Sequence, residues 1–274
     1  MAALSAAHPP HSPHSPMPRI YCSAPLSEHT PLDLPQEAAK HCQVLRLQPL
    51  EGLTLFDGRG GEYDAQIVEM GRQSVRVLVQ THRPIERENK HHVHLIVGMP
   101  ANERMDWLVE KATELGVQRI TPVMSTRSVL RLSGERAVKK QLHWHGVALG
   151  ACAQSGRNQI PLIDVPLSLT SWCEHAAAKP LVQDESQDPS VGESPPLKKL
   201  LSTRLLEPEH DGMDIPHDWR QPQRLQVMSG PEGGFTLEEE LMLQGLGFEP
   251  CSLGPRVLRA ETAALVALAR WGNA

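Results

Sequence analysis

Residues 93–123 read VHLIVGMPANERMDWLVEKATELGVQRITPV, and the fold class follows from how that stretch divides. Val93-His94-Leu95-Ile96-Val97-Gly98-Met99 is a nearly continuous apolar run, the pattern of a strand covered on both faces. Asn102 is placed to cap a helix in which Met105, Leu108, Ala112 and Leu115 recur at helical spacing, and Gly116 stops it. Arg119-Ile120-Thr121-Pro122-Val123 is a second strand. Strand, helix and strand in about 30 residues make a βαβ unit, so an α/β domain with a parallel sheet is expected.

Downstream, residues 134–150 read as a helix. Residues 180–223 break the rhythm with prolines and acids (Asp184, Glu185, Asp188, Glu193), and a long insertion is expected there. Order resumes with Leu225-Gln226-Val227-Met228, a glycine loop, and a helix near Thr236, where Thr236 and Glu239 have capping-box spacing. Cys251-Ser252-Leu253, a second loop and an apolar helix to Trp271 complete the chain. Upstream, Glu62–Ile67 and Ser74–Val79 alternate like strands around the turn-forming Asp57-Gly58-Arg59-Gly60-Gly61. The expected organisation is a disordered tail at 1–16, a β-rich domain at 17–90 ending in a charged linker over Thr81–Lys90, and an α/β domain at 91–274.

At 274 residues the chain is long enough for two domains. The first 16 residues lack the basic and apolar regions of a secretory signal. No apolar run of the roughly 18 residues needed to span a membrane is present. Five dispersed cysteines (Cys22, Cys42, Cys152, Cys173, Cys251) without a CxxC pair fit a reducing cytoplasm rather than zinc or disulfides. The His91, His92, His94 run fits a strand start, and no metal site is expected. Net charge is −5, yet residues 91–160 carry 9 Lys and Arg against 5 Asp and Glu, so that segment either faces a polyanion or is a solvated mixed surface. Trp107 and Trp144 read as core or interface packing, and Cys152 as a buried small residue.

Two loops, GPEGG at 230–234 and GPRVLR at 254–259, follow strand-like runs, and ligands of open α/β sheets sit beyond strand carboxyl ends. The first has neither the GxxxxGK[ST] lysine nor GxGxxG spacing, and Glu232 would repel phosphate. A carboxylate there either suits ribose hydroxyls, an amine or a sulfonium, or is a charge at a helix start.

Together, GPEGG at 230–234 and LGPRVLRAETA at 253–263 resemble the SPOUT superfamily of methyltransferases, and more narrowly the RsmE family of 16S ribosomal RNA uracil-N3 methyltransferases. Pro18-Arg19-Ile20-Tyr21, His41 with Val44-Leu45-Arg46, Leu55-Phe56-Asp57-Gly58, Glu110–Val117 and Gln154-Ser155-Gly156-Arg157 resemble further stretches of that family. Two departures stand out: Gly150–Ala153 has no acid, and Pro100–Arg104 has no lysine.

The resemblance implies a PUA-like β-barrel that helps bind RNA, followed by a trefoil-knotted methyltransferase domain. It implies S-adenosylmethionine as cofactor, held around Met228, Gly230, Pro231, Glu232, Gly233, Leu253, Gly254, Arg256, Val257 and Leu258. It implies a cytoplasmic homodimer acting on a uridine of 16S ribosomal RNA within the assembled small subunit. Uracil N3 carries a proton, so methylation needs that proton removed and the anion stabilised. Arg259 is the candidate for that anion; Glu261 either accepts a proton or holds the arginine. Arg19, Arg46, Arg127 and Arg157 are candidate RNA contacts. A SPOUT enzyme with another target, ribose 2′-O or another base, and a non-catalytic RNA-binding assembly factor are the alternatives.

Overall fold

The computed structural model describes residues 17–178, 195–202 and 222–272. The tail expected at 1–16, and all of the expected insertion except 195–202 and 222–223, lie outside the described residues. Contacts divide the chain between Ile85 and Glu86 into two units.

The first unit holds β1 (Arg19–Tyr21), β2 (Pro31–Asp33), α1 (Gln36–Val44), β3 (Gly52–Phe56), β4 (Glu62–Met70) and β5 (Val75–Arg83) in a sheet of order β1-β3-β4-β5-β2. Alternation puts Leu53, Leu55, Ala65, Ile67, Val75, Val77 and Val79 on the face that packs with Ala38, Ala39 and Cys42 of α1. Gly58, Gly60 and Gly61 all adopt positive φ in the β3–β4 turn, which L side chains resist. The sequence pattern suggested only strands and turns here. Helix α1 escapes it because its buried face is made of small residues over nine positions.

The second unit holds β6 (His92–Gly98), α2 (Asn102–Glu114), β7 (Arg119–Met124), α3 (Gly134–Ser155), β8 (Leu162–Ile163), β9 (Leu167–Ser168), α4 (Leu169–Ala178), β10 (Leu197–Leu201), β11 (Arg224–Ser229), α5 (Leu237–Gly245), β12 (Glu249–Cys251) and α6 (Ala260–Gly272). The strands pair in parallel in the order β12-β10-β11-β6-β7-β8, with β9 also on β7. Val93, Leu95, Val97, Leu225 and Val227 pack against α2, α3 and α6 on one face. Ile96, Val123, Leu200 and Met228 pack against α4 and α5 on the other. Helices on both faces explain why β6 is apolar at successive positions.

Three expectations are corrected by this architecture. Residues 197–201 fell inside the expected insertion, yet β10 is a central strand between β11 and β12. Its two lysines hid it: Lys198 donates to the Leu246 carbonyl at 2.7 Å and Lys199 pairs with Glu249 at 2.8 Å, so both heads are satisfied beside buried stems. The cap of α2 is Ala101, one residue before Asn102. Trp144 is fully buried and donates to Asp106 Oδ1 at 2.8 Å, while Trp107 is 45% exposed, which leaves interface packing as its reading. Arg157 is only 2% exposed. Its guanidinium pairs with Glu88 and donates to the Thr113 and Val117 carbonyls, both at 2.9 Å, so it ties α2, α3 and the Glu88 segment together and is not an RNA contact.

The segment read as a linker is divided in the same way. Strand β5 runs through Arg83, whereas Arg87 donates to the Gly156 carbonyl at 2.9 Å and Asn89 to the Leu115 carbonyl at 2.7 Å.

Candidate active site

Strands β10, β11 and β12 end side by side, and the chain leaves β11 and β12 through the two loops singled out by sequence. Between them lies a cavity of about 540 Å³. Gly230, Pro231, Glu232 and Gly234 form one wall, Leu253, Arg256, Val257, Leu258 and Arg259 another. Leu201, Ser202, Ser229, Cys251 and Ser252 line it at the strand ends, Phe235 just before α5, and Arg104, Glu240, Ala260 and Ala263 from the helices.

The first loop is held close to the sheet. A methyl at Gly98, on β6, would stand 2.5 Å from Pro231 Cδ and 2.6 Å from Pro231 N. The loop closes on itself through Gly234 N–H donating to the Pro231 carbonyl at 2.8 Å, with Gly234 at a φ of +66°. Arg127 donates to the carbonyls of Gly233 at 2.7 Å and Phe235 at 3.3 Å. The loop then enters α5 through a complete capping box between Thr236 and Glu239, and Glu239 also accepts from Thr126 N at 2.7 Å.

Glu232 lies on the cavity lining and also braces a helix. Its Oε1 accepts from the Ala101 amide and from Arg104 Nη1, both at 3.1 Å. The carboxylate therefore sits at the positive N-terminus of α2 and pairs with an arginine one turn in. A helix-start charge is thus present, and the helix is α2 rather than the one that follows the loop, while Glu232 also lines the cavity.

Arg104 was not among the expected site residues, its stretch standing out only for lacking a lysine. It joins the two loops: besides Glu232, its Nε lies 4.0 Å from Glu261 Oε1. Glu261 is 6% exposed at the start of α6 and does not line the cavity, and its Oε2 has no hydrogen-bond partner among the described residues. Arg259 lies on the lining, is exposed, and engages no carboxylate among the described residues.

The sequence-selected residues sort as follows. Gly230, Pro231, Glu232, Leu253, Arg256, Val257, Leu258 and Arg259 all line the one cavity. Met228 does not: strand alternation turns its side chain into the core cluster that includes Phe235 and Leu243. Gly233 and Gly254 are also off the lining; Gly254 is tied to Ser252 Oγ by its amide at 3.2 Å. Arg127 braces the loop. Arg19 and Arg46 belong to the first unit, where Arg19 pairs with Glu62 over the Phe56 ring and Arg46 is exposed at a φ of 57°. Glu240, Ser202 and Phe235 were not anticipated, because Glu240 follows two other glutamates in a run that reads as a solvated helix face.

His94 lies outside the cavity in a chain from Thr121 Oγ1, at 2.7 Å, to Asp164, which Arg119 clamps at 2.8 and 3.1 Å. Burial, reinforced by Arg119, holds its pKa down at about 3. The five cysteines are buried and free, and burial pushes the thiols of Cys42, Cys173 and Cys251 up to about 11. No helix among the described residues is long and apolar enough to cross a membrane.

The RNA methyltransferase domain model matches residues 87–272, and the RNA methyltransferase PUA domain model matches residues 34–80. A ribosomal RNA small subunit methyltransferase E from Neisseria gonorrhoeae, solved bound to S-adenosylmethionine, is 32% identical with a TM-score of 0.78, over 92% of this chain and 96% of that one. The Buchnera aphidicola protein of the same name (from the strain of Acyrthosiphon pisum) is 29% identical over 256 residues, 92% of this chain and 91% of its own. The Bacillus subtilis one is 28% identical over 226 residues, 82% of each.

Proposed function

This chain belongs to the RNA methyltransferase family of ribosomal RNA small subunit methyltransferase E, and on that premise we propose that it methylates N3 of one uridine in small-subunit (16S) ribosomal RNA with S-adenosylmethionine. The observation that carries the reading is the convergence of both signature loops on one cavity with Arg259, a cation engaged by no carboxylate among the described residues, on its lining. The reading includes the trefoil-knotted arrangement of the family, a cytoplasmic homodimer and the assembled subunit as substrate.

The residues present fit the cofactor. The cavity is roomy and half apolar, its glycine wall brings backbone amides close, and it contains a buried carboxylate oxygen with no protein partner among the described residues. Gly230, Pro231, Leu253, Val257 and Leu258 would hold S-adenosylmethionine, which when bound supplies an electrophilic methyl on a sulfonium.

What the chain itself must do is make N3 nucleophilic. Loss of the N3 proton leaves charge shared between N3 and the flanking carbonyl oxygens. Arg259 is the residue that holds this anion, because an arginine presents two parallel donors and stays charged at any relevant pH. Glu261 acts through another residue: buried 4.0 Å from Arg104, it positions that arginine rather than reaching the base. Arg104 in turn fixes the first loop through Glu232. The proton leaves to solvent once the anion is stabilised. Arg19 and Arg46 of the first unit and Arg127 are the RNA contacts in this reading.

The test is primer extension across small-subunit RNA, using particles from cells lacking the enzyme incubated with the protein and S-adenosylmethionine. Methyl on N3 blocks the pairing edge, so a new stop one nucleotide before a uridine is expected. Labelled methyl incorporated without a stop would overturn N3 as the target and favour a ribose or another base. No transfer to particles or naked RNA would overturn the enzymatic reading.

A further inference from the structure

Among the described residues, no cation neutralises the buried carboxylate of Glu240. It sits in the first turns of α5, is 4% exposed, and lines the cavity. Its Oε1 accepts from Ser202 Oγ at 2.9 Å, and its Oε2 has no hydrogen-bond partner among the described residues. An acceptor buried without a donor costs about 1–3 kcal/mol, more for a charged group. A fold that keeps one inside a ligand cavity has a donor to meet there. Glu232, the other carboxylate on the lining, already accepts from the Ala101 amide and Arg104 through its Oε1.

The strand order says which part of the ligand reaches Glu240. Ser202 follows β10, whereas Arg104 belongs to the helix after β6, and β11 lies between those strands. At roughly 4.8 Å per strand the two ends of the cavity are about 10 Å apart. Arg104 lies in the first turn of the helix after β6, and Ala260, which follows Arg259 in the chain, lies at β11, where Ser229 Oγ donates to its carbonyl at 3.4 Å. The carboxylate and reacting methyl of the methionine half belong with those arginines, which leaves the nucleoside half for the β10 end.

We propose that Glu240, held by Ser202, is a specificity-determining residue that accepts a hydrogen bond from the adenosine half of the cofactor, from its exocyclic amine or a ribose hydroxyl. This rests on the reading that S-adenosylmethionine binds in this cavity. It gives the enzyme an acidic contact to the nucleoside, independent of the sulfonium, so the demethylated product shares it.

The experiment is calorimetric titration of S-adenosylmethionine and S-adenosylhomocysteine into wild type, Glu240→Leu and Glu240→Gln, with melting temperatures of the unliganded proteins. Glu240→Leu is expected to weaken both ligands about tenfold or more, in equal measure. The unliganded protein should melt no lower, because the substitution removes a buried unsatisfied oxygen. Glu240→Gln, which keeps one acceptor, should fall between. Competition by purine riboside and by 2′-deoxyadenosine identifies the donor: the analogue lacking it will bind wild type and Glu240→Leu alike. Undiminished affinity in both variants, with S-adenosylmethionine still binding wild type, overturns the role of Glu240 and leaves the proposed function standing. A drop in melting temperature with unchanged affinity also overturns it, assigning Glu240 to structure alone. A wild-type protein that binds no S-adenosylmethionine overturns the reading of the cavity, and this inference with it.

Discussion

Replacing Gly98 by alanine puts one methyl where β6 meets the first loop. That methyl would stand 2.5 Å from Pro231 Cδ, 2.6 Å from Pro231 N and 2.9 Å from Gly230 C. Ordinary contact begins near 3.4 Å, so the loop or the strand must move by about 1 Å. The strand cannot yield, because β6 is hydrogen-bonded to both β11 and β7. The loop is anchored too, by Glu232 on Ala101 and Arg104 and by Arg127 on the Gly233 carbonyl. Overpacking of this kind costs about 1–3 kcal/mol, and at about 2–4 °C per kcal/mol the melting temperature falls by several degrees. The displaced wall belongs to the cofactor cavity, and an error of about 1 Å in a positioning element can cost about a hundredfold. Calorimetry with S-adenosylmethionine should therefore show affinity reduced at least about tenfold. The matched control is Gly146→Ala on α3, where the new methyl meets nothing within 4 Å. It should stabilise by about 0.5–1 kcal/mol through helix propensity and leave binding alone. A Gly98→Ala protein with wild-type affinity and melting temperature would refute the view that the loop is fixed by close approach to β6.

Arg157→Met should destabilise by about 3–5 kcal/mol in urea unfolding, since it strands Glu88 and two carbonyls, and a well-folded Arg157→Met that loses only RNA affinity would restore its reading as an RNA contact. His94 binds its proton at about 3 when folded against an ordinary 6.5, so the unfolded chain takes up a proton first as pH falls. Stability is present above about pH 6.5 and is lost below it, by up to about 1.4 kcal/mol per pH unit, and His94→Gln should flatten this limb in denaturation at pH 7 and pH 5. Thr236→Ala removes the capping box of α5 and should cost about 1 kcal/mol, read as a lower urea midpoint with unchanged slope. Arg104→Lys should retain partial methyl transfer where Arg104→Ala retains little, because a lysine reaches Glu232 but cannot also approach Glu261; equal activities would show that Arg104 holds only the loop.

Much of the molecule could be read from short-range rules. The βαβ pattern of 93–123, the capping box at 236–239 and the two glycine loops depend on spacing that neighbours along the chain enforce. The loops' meeting in one cavity also followed, because parallel strands end on the same side of their sheet. What the pattern could not supply was partner choice. Glu232 read equally as a ligand carboxylate or a helix-start charge, and only the fold puts the N-terminus of α2 beside it. Arg157 looked like a phosphate contact until Glu88, 69 residues earlier, was seen beside it. Residues 197–201 looked like part of an insertion because lysine marks a surface, and only packing between β11 and β12 shows which partners satisfy both ammonium groups. Glu240 stood in an acidic run that helix periodicity alone would have left in water. Local sequence determines which backbone conformations are cheap, whereas burial and pairing of a charge depend on groups brought near by the whole fold, and those the tertiary structure alone decides.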